Sequence, residues 1–136
     1  MKDTELKAIR DRALYQVYLQ GLEEGRFSSM REAGEWVRLQ PAPQFFISAR
    51  TASLYVGRIL AGISLMNVNS ELRRKIWCLH DRYVEYLAAN PGNDLSRERI
   101  FELLVDEPAP EFFLSMDMTR QCIFKVWKKV RDRWYR

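Results

Sequence analysis

Three groups of residues in this 136-residue chain have types that could do chemistry. Cys78 stands two residues from His80, the single histidine. A Cys–His pair works by passing the thiol proton to the imidazole, so both side chains must lie within hydrogen-bond reach. On the helix expected here, residues two apart point in different directions, and His80 reads as a partly exposed helix residue. Asp106, Glu107 and Glu111 gather carboxylates, but without the spaced oxygen ligands and glycine of a calcium loop they read as a solvated acidic edge. One histidine excludes a multi-histidine metal site within the chain, and there is no P-loop, GxGxxG or GxSxG stretch. The expectation is a protein that is not an enzyme, with no cofactor, no metal and no evident small-molecule substrate.

The third group, the cations, carries more information. The net charge of +4 conceals an alternation: residues 1–47 are neutral, 48–82 carry +4, 83–114 carry −5 and 115–136 carry +5. The basic stretches supply Arg50 and Arg58, then Arg73, Arg74 and Lys75, and finally Arg120, Lys125, Lys128, Lys129 and Arg131. Lys and Arg at these positions are expected to contact phosphates along double-stranded DNA, with affinity that falls steeply in salt. The competing expectation is a protein-interaction or assembly module, a homodimer or a partner scaffold, presenting Trp36, Tyr55 or Trp134 in an apolar patch.

The elements that must position these cations come in two copies. Pro41-Ala42-Pro43-Gln44-Phe45-Phe46-Ile47-Ser48 is echoed 67 residues later by Pro108-Ala109-Pro110-Glu111-Phe112-Phe113-Leu114-Ser115, with six of the eight positions identical. In each copy the segment before the PAPxFF turn is neutral or acidic and the segment after it is basic. Arg58 and Lys125 occupy matched positions.

Around this repeat the chain reads as all-α. A first helix from Asp3 or Thr4 to about Leu22 presents Leu6, Ile9, Ala13, Leu14, Val17 and Leu22. Ser29-Met30-Arg31-Glu32 fits a capping box opening a second helix, with Ala33, Trp36 and Val37 inward, that stops before Pro41. Ser48 caps a third, with Ala52, Val56, Ile59, Leu60 and Ile63 inward. Gly62 and Asn67–Asn69 mark the break. The second copy runs Ser70–Ala89, with Leu72, Ile76, Leu79, Tyr83, Tyr86 and Leu87 inward, then turns at Asn90-Pro91-Gly92-Asn93. A helix over Ser96–Val105 follows, with Ile100, Leu103 and Leu104 inward. The last runs from Ser115 or Asp117 almost to Arg136 along Ile123, Val126, Trp127, Val130 and Trp134. This gives two tandem three-helix units, 1–68 and 69–136, packed as one compact domain, each with a PAPxFF turn before its third helix. The two prolines stiffen each turn, and the phenylalanine pairs read as structural, one ring in the core and one against a neighbouring helix.

The stretch Ser-x-Arg-Glu, then Pro-Ala-Pro-x-Phe-Phe-Ile-Ser and a further helix, resembles a group of small Bacteroidetes proteins. The resemblance spans residues 29–56 and, more loosely, 96–123; it implies a bacterial origin and carries no function onto particular residues. Ser29, Arg31, Glu32 and Ala33 are also loosely similar to the opening of a helix-turn-helix domain, which would make the helix after Ser48 the DNA reader. Such turns are about 3–4 residues long; this one is longer.

Composition sets the remaining bounds. With 47% hydrophobic and 29% charged residues, the chain is of ordinary globular type, long enough to bury a core without staples. No apolar run approaches the ~20 residues that span a bilayer. The last helix, with Phe124, Trp127, Trp134 and Tyr135 among its cations, also resembles a basic membrane-surface helix, but a membrane partner is the lesser expectation. The start lacks a signal-peptide stretch, and Cys78 and Cys122 make no disulfide framework. A cytoplasmic location is expected.

Overall fold

The structure, a computed structural model, describes residues 3–134. It is all-helical: α1 (Asp3–Glu24), α2 (Met30–Arg38), α3 (Ala49–Leu60), α4 (Ser70–Ala89), α5 (Arg97–Leu104) and α6 (Met116–Trp134). Tyr135 and Arg136, which the expected last helix approaches, lie outside the described residues.

Side-chain caps fix where the helices start. Ser29 Oγ accepts from the Glu32 amide at 3.2 Å, Ser48 from Thr51 at 3.1 Å, Ser96 from Arg99 at 3.3 Å and Ser115 from Met118 at 3.1 Å. Asn69 does the same for α4, accepting from Leu72 at 2.8 Å. Each cap satisfies an amide that the helix itself leaves unpaired. The capping box differs from expectation in one detail: the Glu32 carboxylate accepts from the Ser28 amide and hydroxyl rather than from Ser29. Those bonds hold its pKa below the usual carboxylate range.

Packing does not follow the chain order of the helices. α1 and α2 pack with each other and with α6, while α4 and α5 pack with each other and with α3. The third helix of each sequence unit is therefore delivered to the first two helices of the other. The crossing occurs in the two PAPxFF segments, where Ala42 and Ala109 form an antiparallel bridge. The Phe45 amide donates to the Val105 carbonyl at 3.0 Å, and the Phe112 amide donates reciprocally to the Arg38 carbonyl at 3.4 Å. Phe46 and Phe113 both take positive φ, 53° and 56°, a region that costs a bulky residue about 1–3 kcal/mol. Burial offsets that cost. Phe45 stacks on Phe113 and Phe46 on Phe112, each with ring centroids 6.1 Å apart, and all four rings are buried.

A single hydrophobic cluster runs through both helix trios, from Leu14 and Val37 to Val56, Ile76, Leu79, Phe101 and Ile123. Several expected core positions fall outside it. Leu22, Leu87 and Leu103 are exposed, as are Trp127 and Trp134 on α6. On α5 it is Phe101 that turns inward. Leu60 and Ile63 are exposed because α3 ends at Leu60 and Gly62 (φ 77°) turns the chain, so the helical stripe loses its phase. Gly34 lets α2 and α6 approach closely: a Cβ there would lie 2.8 Å from Arg120 Cγ and 3.1 Å from the Met116 carbonyl oxygen.

Candidate functional site

The ten cations expected to meet phosphate fall into different surroundings. Arg50 is exposed on the first turn of α3. Arg58 is exposed near the end of the same helix, with its guanidinium 5.3 Å from the Tyr55 ring centroid. On α4, Arg73 is half-buried, while Arg74 bonds Glu111 at 2.6 Å and lies over the Phe113 ring. Arg74 thus brackets the crossing segment, as Arg82 does by bonding Glu107 at 3.0 Å and covering Phe45. The same contacts account for two of the three clustered carboxylates. On α6, Arg120 pairs with Asp117, and Arg131 lies over Trp127 and bonds Asp132. Lys128 is exposed.

Lys125 and Lys129 are brought together with cations from the other end of the chain. The exchange of third helices lays the last turns of α6 along the first half of α1. Between them lies a cleft of about 660 Å³ lined by Lys7, Arg12, Lys125, Lys129 and Arg133, with Thr4, Tyr15 and Gln16 as its polar neighbours. Among the described residues, Asp11 is the one carboxylate in the lining. It is buried, and it is already held by Arg10 through Nε and Nη2 at 3.1 and 3.0 Å. Lys125 Nζ stands 4.0 Å from its second oxygen. The charge facing the opening is therefore strongly positive, and low-dielectric walls concentrate such a field.

Arg133 follows the expected cations of the last helix, and Lys7 and Arg12, which the expected site omitted, complete this cleft. Lys7 and Arg12 sit in the stretch whose net charge is zero, so a regional sum hides them. Their spacing does carry a signal, since residues 7, 8, 11, 12 and 15 lie on one helical face.

The other chemistry-bearing residues are held in structural contacts. His80 Nδ1 lies 3.0 Å from Asp81 Oδ1 on the neighbouring residue, and its ring meets Trp77 edge-on. Both cysteines are free thiols. Burial, assisted by a bond to Asp11, pushes the Cys122 thiol up to about 11, and burial also raises Cys78. A thiol held protonated is a poor nucleophile.

Among the described residues no group of three or more His, Cys, Asp or Glu side chains is arranged to hold a metal ion, and no helix is long and apolar enough to cross a membrane. No protein-family model, curated protein or solved structure matches the chain.

Proposed function

We propose that the protein is a non-catalytic nucleic-acid-binding protein that grips backbone phosphates of double-stranded DNA along the α1–α6 face. The observation that carries this reading is the convergence of Lys7, Arg12, Lys125, Lys129 and Arg133 on one cleft whose single carboxylate is already neutralised. Cations contributed by two helices from opposite ends of the chain meet there, and among the described residues only Lys125 has an acidic neighbour, Asp11 at 4.0 Å. The contacts are to phosphate, so the reading implies affinity with little base preference.

Anisotropy of a labelled random-sequence duplex across a salt titration tests it. Five neutralised phosphates correspond to a log–log slope of about −4.5. The double variant Lys125→Glu/Lys129→Glu is expected to lose most of the affinity. Arg58→Glu, at the position matching Lys125 but engaged over Tyr55 on α3, is expected to lose much less. Absence of binding at low salt, or equal losses in the two variants, would sink this assignment.

One observation favours the alternative, an interaction module. Leu60, Ile63 and Met66 follow one another at the end of α3, and all are exposed, Met66 by 81%. Sedimentation at high protein concentration, with Met66→Lys as the variant, separates that reading from the first: self-association lost in the variant supports it.

A further inference from the structure

A second cleft, of about 260 Å³, lies where the two sequence halves interleave, between the first half of α1 and the first turns of α4. Its polar lining is Asp3, Lys7, Arg10, Thr51 and Lys75, over a floor that includes Phe46 of the crossing segment. Lys75 is half-buried, and among the described residues no carboxylate lies within 4.0 Å of its ammonium. Taking a charge out of water without a partner is unfavourable. Arg10 uses Nε and Nη2 on Asp11 and Cys122, which leaves Nη1 without a protein acceptor among the described residues. Thr51 Oγ1 accepts from the Ser48 hydroxyl at 2.7 Å, so its own proton is free to be donated.

We propose that this cleft binds a phosphate group, with Lys75 and Arg10 supplying charge from the two halves of the chain and Thr51 a neutral donor. The three donors differ in type and converge from α1, α3 and α4, as the oxygens of a tetrahedral oxyanion require. Among the described residues the lining contains one acid, Asp3, exposed at the start of α1. Desolvation and the nearby Arg10 lower the Lys75 pKa to about 8. The attraction of a dianion in the cleft would offset both causes. The site shares only Lys7 with the α1–α6 cleft and does not depend on the reading of that face. Its ligand is either free phosphate or a phosphate at the end of a nucleic-acid strand.

Titrating inorganic phosphate into isotope-labelled protein at fixed ionic strength is the direct test. Saturable shifts are expected at the backbone amides of Thr51, Leu72 and Lys75. Lys75→Met should weaken binding about tenfold or more, the loss of one charge-assisted hydrogen bond, without lowering the melting temperature. Lys129→Glu should leave phosphate binding unchanged, which separates this site from the duplex-binding face. Comparing a 5′-phosphorylated with a 5′-hydroxyl oligonucleotide identifies the source. Tighter binding of the phosphorylated strand that vanishes in Lys75→Met points to a strand end, and equal binding points to free phosphate. Shifts that never saturate, or wild-type phosphate affinity in Lys75→Met, would overturn the assignment.

Discussion

Ala42 and Ala109 exchange both of their backbone hydrogen bonds, Ala42 N to Ala109 O at 3.0 Å and Ala109 N to Ala42 O at 2.9 Å. Both alanines are 2% exposed. This reciprocal pair stands at the centre of the fold, because the chain crosses from one helix trio to the other on either side of it. The small side chain lets the two backbones approach, and the prolines flanking each alanine hold the segments in shape. Everything beyond the pair follows from the crossing. α3 reaches α4 and α5, and α6 reaches α1 and α2.

Fragments 1–68 and 69–136 should consequently fail to fold alone and should fold when mixed. In the first fragment α3 would expose Ala52 and Val56, both fully buried in the intact chain against partners the fragment lacks. In the second, α6 would expose Ile123. Such faces are what stabilise these helices, since most helical stability in a protein comes from tertiary packing of the apolar face. Circular dichroism of each fragment and of the equimolar mixture reads the outcome. A cooperative thermal transition in either fragment by itself would show that one unit is self-sufficient.

The stacked phenylalanines should be energetically coupled across the crossing. Phe45→Ala removes a ring that is 1% exposed, and a cost of about 3–5 kcal/mol is expected. Its partner Phe113 lies nearly parallel to it, at 17° between the ring planes. A double-mutant cycle with Phe113→Ala should give an interaction energy of about 0.5–1.5 kcal/mol. Strict additivity would mean that the two rings are buried independently.

Much of this architecture could be read from the chain. Ser29, Ser48, Ser96 and Ser115 mark the helix starts because a side-chain oxygen at an N-cap is a local requirement. The PAPxFF copies locate the two crossings. What the pattern could not reveal is which trio each third helix joins. Periodicity shows that Val56 and Ile123 are buried but not against what, and two nearly identical turns suit either partner equally well. The cleft was half legible for the same reason. Lys125 and Lys129 stood out in a basic stretch, whereas Lys7 and Arg12 became neighbours of theirs only through the exchange. Asp11 was hidden because a carboxylate is not expected on a buried face unless its Arg10 partner is known.

The two thiols should react at different rates. Cys78 is partly exposed and Cys122 is buried, with its pKa pushed to about 11. At neutral pH both are protonated, so access decides the order. Iodoacetamide followed by peptide mapping should label Cys78 first and Cys122 only as denaturant opens the α1–α6 contact. Early labelling at Cys122 would mean that α6 separates readily from α1.

Lys75 should make stability depend on pH in an unusual direction. Its ammonium shares a cleft with Arg10, Lys7 and the carboxylate of Asp3, and its folded pKa is lowered from 10.5 to about 8. Below about pH 8 the lysine is charged in both states, and the folded protein bears the full cost of desolvating it. Between about 8 and 10.5 the unfolded chain holds a proton that the folded chain has released, so this group's contribution to stability rises with pH. Lys75→Met removes the burden outright. In phosphate-free buffer it should be more stable than the wild type at pH 7, by about 1–3 kcal/mol, and the gap should close towards pH 10. Urea denaturation of both proteins at the two pH values measures this. A variant less stable than the wild type at pH 7 would show that the ammonium makes a net favourable contact in the folded protein.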